Sequence, residues 1–130
     1  VARLGLEPHP EGGWFARVWT AGESCSGGRP VGSAIHFLIE GGVASRWHRI
    51  DASEVWVHSE GAPLELSVSD GSGPGDVVTI GDGVPQFVVP PGMWQSASST
   101  GDWSLAVCVV VPAFEWEGFE LAAPGWGPVS

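Results

Sequence analysis

The chain has 130 residues, 43% of them apolar, which suits one domain built around one core. Its formal net charge is −10, with five arginines and no lysine, so it has no means to build the basic face that nucleic acids or anionic membranes require. No run approaches the roughly 20 apolar residues of a membrane span.

Val1–Leu6 show no basic-then-apolar leader pattern, so a cytoplasmic location is expected. Beyond them, 20 glycines and 11 prolines cut the sequence into short runs rich in Val, Ile, Phe and Trp. In chain order the predicted strands are Trp14–Trp19, Ser33–Glu40, Ala44–Arg49, Glu54–Ser59, Leu64–Ser69, Asp76–Ile80, Gln86–Val89, Trp94–Ala97 and Ser104–Val111. Turns fall at Glu60–Pro63, Ser69–Gly75, Gly81–Gly83, Pro90–Gly92 and Thr100–Asp102. A short turn or helix is placed near Phe114–Leu121, and no long segment carries a helical period. Many short strands with regular turns define an all-β barrel or sandwich, with no internal repeat and no linker.

Alternation along a strand assigns faces. Glu54, Trp56 and His58 share one face, and Val55 and Val57 share the other. The polar set is expected inside, lining a pocket, with the valines packed against a second sheet or subunit. His36 and Leu38 likewise share a face, opposite Ile35, Phe37 and Ile39. The two cysteines, Cys25 and Cys108, have no metal-ligand spacing and fit a reduced interior better than a disulfide framework. Asn, Lys and Tyr are absent, and their AT-rich codons point to a GC-rich bacterial genome.

Two stretches carry a more specific pattern. One runs from Gly42 through His48, Ile50 and Glu54 to Gly61; the other is Pro90-Pro91-Gly92-Met93-Trp94-Gln95. Their spacing resembles the two cupin motifs, with Ile50 and Gln95 standing where the motifs carry histidines and Ser99 where the second carries Asn. Segments Leu4–Gly13, Ser33–Leu38, Trp47–Asp51, Glu54–Trp56, Gly61–Leu66, Val88–Gln95 and Phe114–Leu121 resemble, end to end and in order, the cupin-5 family, formerly a domain of unknown function. The resemblance implies a cupin-type jelly-roll β-barrel in a single domain, usually a homodimer, related to sugar-nucleotide epimerase cupins. Two features depart from it. His36 stands where the family usually has Tyr, and Trp14–Trp19 carries less charge and no Tyr, which suits a phosphorylated sugar poorly.

The candidate catalytic residues are His48, Glu54 and Gln95. A catalytic metal needs about three His or carboxylate ligands. Ile50 offers none, Gln95 is a weak ligand, and His58 lies about 13 Å along the strand from Glu54. No metal and no other cofactor is therefore expected. Glu54 in a poorly hydrated pocket should have a raised pKa and act as an acid, and His48 is poised near neutrality. Candidate substrate-binding residues are Trp56, His36, His58, Met93, Leu38, Ile50, Trp47, Trp94 and Phe37. Trp56 is the firmest wall residue, because alternation points Trp47 and Trp94 away from their neighbours. Glu11 fits a loop-fixing role in its Pro-Glu-Gly-Gly turn, and Arg17 is the arginine best suited to an anionic ligand. No nucleophile elbow, phosphate loop or dinucleotide fingerprint occurs. The expected function is a metal-independent enzyme that isomerises or cyclises an apolar biosynthetic intermediate, including by a pericyclic route. A sugar-epimerase-like enzyme, a metal-dependent oxygenase and a non-catalytic binding module are the alternatives.

Overall fold

A computed structural model describes residues 4–73 and 75–123. Eleven strands form two antiparallel sheets packed face to face, the arrangement of a cupin jelly roll. The larger sheet is ordered β1 (Glu7–Pro8), β2 (Trp14–Thr20), β3 (Ser33–Glu40), β10 (Trp103–Val111), β5 (Ser53–Gly61), β8 (Gln86–Val89). The smaller is ordered β11 (Phe119–Leu121), β4 (His48–Ile50), β9 (Trp94–Ser99), β6 (Leu64–Ser69), β7 (Asp76–Ile80). No helix among the described residues is long and apolar enough to cross a membrane.

Alternation places Phe37, Ile39, Trp56, Ala106 and Cys108 of the large sheet inward, against Leu64, Leu66, Ile80 and Ala97 of the small one. Burying one such large side chain stabilises the barrel by about 1.5–3 kcal/mol. Glu54 lies on this same inner face, opposite Val110 on one side and Val89 on the other. Val55 and Val57 lie on the outer face, paired with Val109 and Val107.

The expected strand Ala44–Arg49 shortens to β4, and Ala44 keeps only an isolated bridge to Ser98. The cause is competition for backbone groups. Ser45 N–H donates to the Ala97 carbonyl at 2.8 Å, and Arg46 N–H donates to the Glu11 carbonyl at 2.6 Å. Arg46 thus binds the loop before β2 instead of a neighbouring strand. Strands β1 and β11 were too short to announce themselves in the sequence; a 3-10 turn at Trp116–Gly118 precedes β11. Both cysteines are free. Trp126 lies outside the described residues.

Candidate functional site

The His9–Gly13 loop is shaped by its glycines. Gly12 and Gly13 have φ of +104° and +79°, a region that side chains with Cβ rarely occupy. A Cβ on Gly13 would sit 2.7 Å from the Leu38 carbonyl oxygen. This tight turn, closed by His9 N–H donating to the Gly13 carbonyl at 3.0 Å, folds His9 and Glu11 back into the barrel mouth. Glu11 is only 5% exposed.

Strand β4 brings His48 to meet them. Its Nδ1 lies 2.9 Å from the Arg46 carbonyl and 2.6 Å from Glu11 Oε2. A carbonyl only accepts, so Nδ1 carries a proton, and Nε2 is left without a protein partner among the described residues. The Nδ1 proton is directed at the Arg46 carbonyl, and the Glu11 carboxylate beside it holds the pair chiefly by charge. His9 has the opposite tautomer. Its Nδ1 accepts Glu11 N–H at 3.1 Å, which leaves the ring neutral with its proton on Nε2.

Glu54 is fixed from beneath. The indole N–H of Trp56 can only donate, and it does so to Gln95 Oε1 at 2.8 Å. This sets the amide orientation, and Gln95 Nε2 then donates to Glu54 Oε1 at 2.8 Å. All three side chains are buried.

The electrostatics follow from burial and proximity. Burial by itself would lower the His48 pKa. The Glu11 charge and contact, with smaller help from Glu54 and the Arg46 carbonyl, outweigh it and raise the pKa to about 9. Burial raises Glu54 to about 7; His48 opposes the shift, Glu11 adds to it, and hydrogen bonds from Gln95 and Cys108 oppose it. His9 is lowered by burial, with Glu11 opposing. The site therefore favours an imidazolium at His48 beside a Glu54 carboxyl whose pKa is raised toward neutrality.

His9, Glu11, His48 and Glu54 line one cavity of about 50 Å³. Its apolar walls include Phe15, Ile35, Ile50 and Val110, and Phe114, Trp116 and Phe119 cover it from the segment after β10. The Phe119 ring stacks on His48 at 5.6 Å between centroids. Arg17 completes the lining.

Of the residues singled out from sequence, His48, Glu54 and Ile50 line this cavity, and Gln95 supports it from below. Trp56 and Phe37 pack edge to face in the core, at 5.5 Å between ring centroids, rather than forming cavity wall. His36 and Leu38 lie on the outer face of the large sheet, since β3 turns Ile35, Phe37 and Ile39 inward. His58 shares the inward face of Glu54 but sits at the far end of the barrel, where its Nε2 lies 3.1 Å from the carbonyls of Gly61 and Ala62. Met93 packs on the core beside the loop after β6. Trp94 packs outside the small sheet beneath the Arg49 guanidinium, 4.6 Å from the ring centroid. Trp47 lies half-buried beside β4, where its carbonyl accepts Ala122 N–H at 2.8 Å. His9, Glu11 and Phe119 were missed as site residues. The available signal was a His-Pro-Glu triplet set directly before a Gly-Gly pair, which puts two titratable side chains on a forced turn.

The donor set does not fit a metal of the kind the motif positions carry. Ile50 has no donor atom, and the one ligating atom of Gln95 accepts the Trp56 indole. Among the described residues no three His, Cys, Asp or Glu side chains are grouped to hold a metal ion.

Residues 1–122 match the profile of the Cupin_5 family, described as cupin superfamily (DUF985). No curated protein sequence matches the chain. Among solved structures, a hypothetical protein from Leishmania major is 28% identical, with a TM-score of 0.81 over 94% of this chain and 84% of that one. A protein from Shewanella oneidensis is 32% identical, with a TM-score of 0.80 over 92% of this chain and 80% of that one. Oxalate decarboxylase from Bacillus subtilis shares the fold at 14% identity, with a TM-score of 0.71 over 92% of this chain and 30% of that one. With a barrel of this topology and a family match over nearly its whole length, the chain belongs to the Cupin_5 family of the cupin superfamily.

Proposed function

We propose that the protein is an acid–base isomerase or cyclase that works without a resident metal on a small, largely apolar molecule. One observation carries this reading. A carboxyl with a pKa of about 7 and an imidazolium held by its own buried counter-ion line the same aromatic-walled cavity.

The chemistry is a proton relocation. Ionised Glu54 takes a proton from a carbon next to a carbonyl. His48 donates a hydrogen bond from Nε2 to the oxygen on which negative charge develops. Protonated Glu54 returns the proton to the far carbon of a conjugated C=C, which isomerises the substrate, or the enolate carbon attacks a second carbonyl carbon of the same molecule, whose C=O π electrons become an alkoxide that takes the proton back from Glu54 as the ring closes. Glu11 keeps His48 cationic throughout. The Trp56–Gln95 chain holds Glu54 in one orientation. A cavity of about 50 Å³ admits the reacting group, with the rest of the substrate at the mouth.

The test starts with a thermal-shift screen of small carbonyl compounds. Bound compounds are then incubated with the protein in D2O and followed by proton NMR. Deuterium should enter beside the carbonyl, and Glu54→Gln should slow that exchange by about 100-fold or more. Ligands that bind without exchange would make this a binding module. Turnover that survives Glu54→Gln would favour a pericyclic route.

We also propose a homodimer formed through the outer face of the large sheet. Val55, Val57, Val107 and Val109 are half-buried neighbours there, and Val88 and Val111 are 47% and 49% exposed on its margin. A two-fold axis across such a face would pair it with itself.

A further inference from the structure

We propose that the substrate carries a carboxylate and that Arg17 binds it at the cavity mouth. The inference rests on the cavity of the proposed function and names the class of molecule it takes.

The chain has few cations, and the structure commits most of the described ones. Arg29 makes a two-pronged contact with Asp51 at 2.9 and 3.1 Å and lies 3.5 Å from Glu115. Arg49 holds Glu120 at 2.7 Å and covers Trp94. Arg46 donates to the Ala122 carbonyl, away from the cavity lining. Arg17 differs from all three. It lines the cavity and, like Arg46, has only neutral partners: Thr20 Oγ1 at 3.0 Å and the Phe114 carbonyl at 3.2 Å. In a protein with a net charge of −10, a guanidinium at a cavity mouth with no carboxylate partner among the described residues has an open valence for an anion.

The tethers hold Arg17, an exposed side chain, at the rim of the cavity. The Phe114 carbonyl belongs to the segment whose rings cover the cavity, so one bond sets both the guanidinium and the apolar cover. Two of its five N–H groups are used and three remain for a ligand. Alternation on β2 places Arg17 on the inward face with Phe15, two residues along the strand. A molecule with its anionic end on Arg17 thus has its apolar body against Phe15 and Phe114. Deeper in, the Glu11 and His48 charges offset each other and ionised Glu54 adds a negative one, so a carboxylate is held at the mouth, on Arg17, and not beside Glu54. A single guanidinium, with no lysine in the chain, suits a monocarboxylate rather than a diphosphate.

The experiment uses 3-methylbutanoate and its neutral analogue 3-methylbutanamide. Each is titrated into the protein by calorimetry, with intrinsic tryptophan fluorescence as a second readout. The acid should bind about tenfold more tightly than the amide. Arg17→Gln should abolish that preference and Arg17→Lys should keep part of it. Arg49→Gln should leave it unchanged. Equal binding of acid and amide, no binding of either, or a preference that survives Arg17→Gln overturns the assignment. The two readings fail separately. An Arg17-dependent preference with no Glu54-dependent deuterium exchange on any bound acid leaves the carboxylate site standing and removes the proton-transfer function. Exchange on neutral ketones without an acid preference does the reverse.

Discussion

Glu11→Gln tests the electrostatic core of the site. The substitution keeps the shape of the side chain and removes the charge beside His48 Nδ1. In the wild type the folded-state pKa of His48 is raised from 6.5 to about 9, a difference worth about 3 kcal/mol at about 1.36 kcal/mol per pH unit. A raised pKa means that the folded state binds the proton more tightly than the unfolded chain does. The stabilisation is therefore fully present below about pH 6.5 and is lost as pH rises through about 9. Without the Glu11 charge, burial dominates and pushes His48 toward its neutral form in the fold. Urea unfolding followed by tryptophan fluorescence should show the variant less stable by about 3 kcal/mol near pH 6. The gap should close as pH approaches about 9, where the wild type is left with an unpaired buried carboxylate. A proton NMR titration of the His48 ring should show its midpoint, about 9 in the wild type, falling in the variant. A stability gap that stays constant across this range, or a His48 midpoint unmoved by the substitution, would refute the reasoning.

Glu54→Gln should do the opposite to stability. Its folded-state pKa is raised from 4.5 to about 7, so stability is lost as pH rises between those values; the variant should exceed the wild type above pH 7 by up to about 3 kcal/mol and match it near pH 4.5 in chemical denaturation. Gln95→Leu strips the acceptor from the Trp56 indole and the donor from Glu54, and should cost about 2–5 kcal/mol by urea midpoint, with the intrinsic tryptophan fluorescence altered. Trp56→Ala should destabilise by about 3–5 kcal/mol, because Trp56 is 1% exposed and packed on Phe37; an effect on ligand affinity with unchanged stability would make it a wall residue instead. Val107→Glu puts a charge in the middle of the outer valine face, and light scattering should show a dimer for the wild type and a monomer for the variant.

The sequence by itself determined most of the strands and their faces. Ser33–Glu40, Leu64–Ser69, Asp76–Ile80 and Gln86–Val89 form as their period and flanking turns dictate, residue for residue. Side-chain alternation is a local property, so it also put Glu54 and Trp56 on one inward face and left Val55 and Val57 outside. What lies above Glu54 is not local. Glu11 reaches His48 across 37 positions of sequence only because the Gly12-Gly13 turn reverses the chain and Arg46 N–H ties its far side down. Nor does any pattern say which inward residue borders a void and which is packed shut. Trp56 looked like a wall because it shares a face with Glu54, yet the opposing sheet and Phe37 fill the space around it. The void opens instead at the mouth, where short β4 and the late β11 bring Phe119 over His48. Alternation fixes the direction of a side chain; only the packing of the two sheets and the closing loops fixes what it meets.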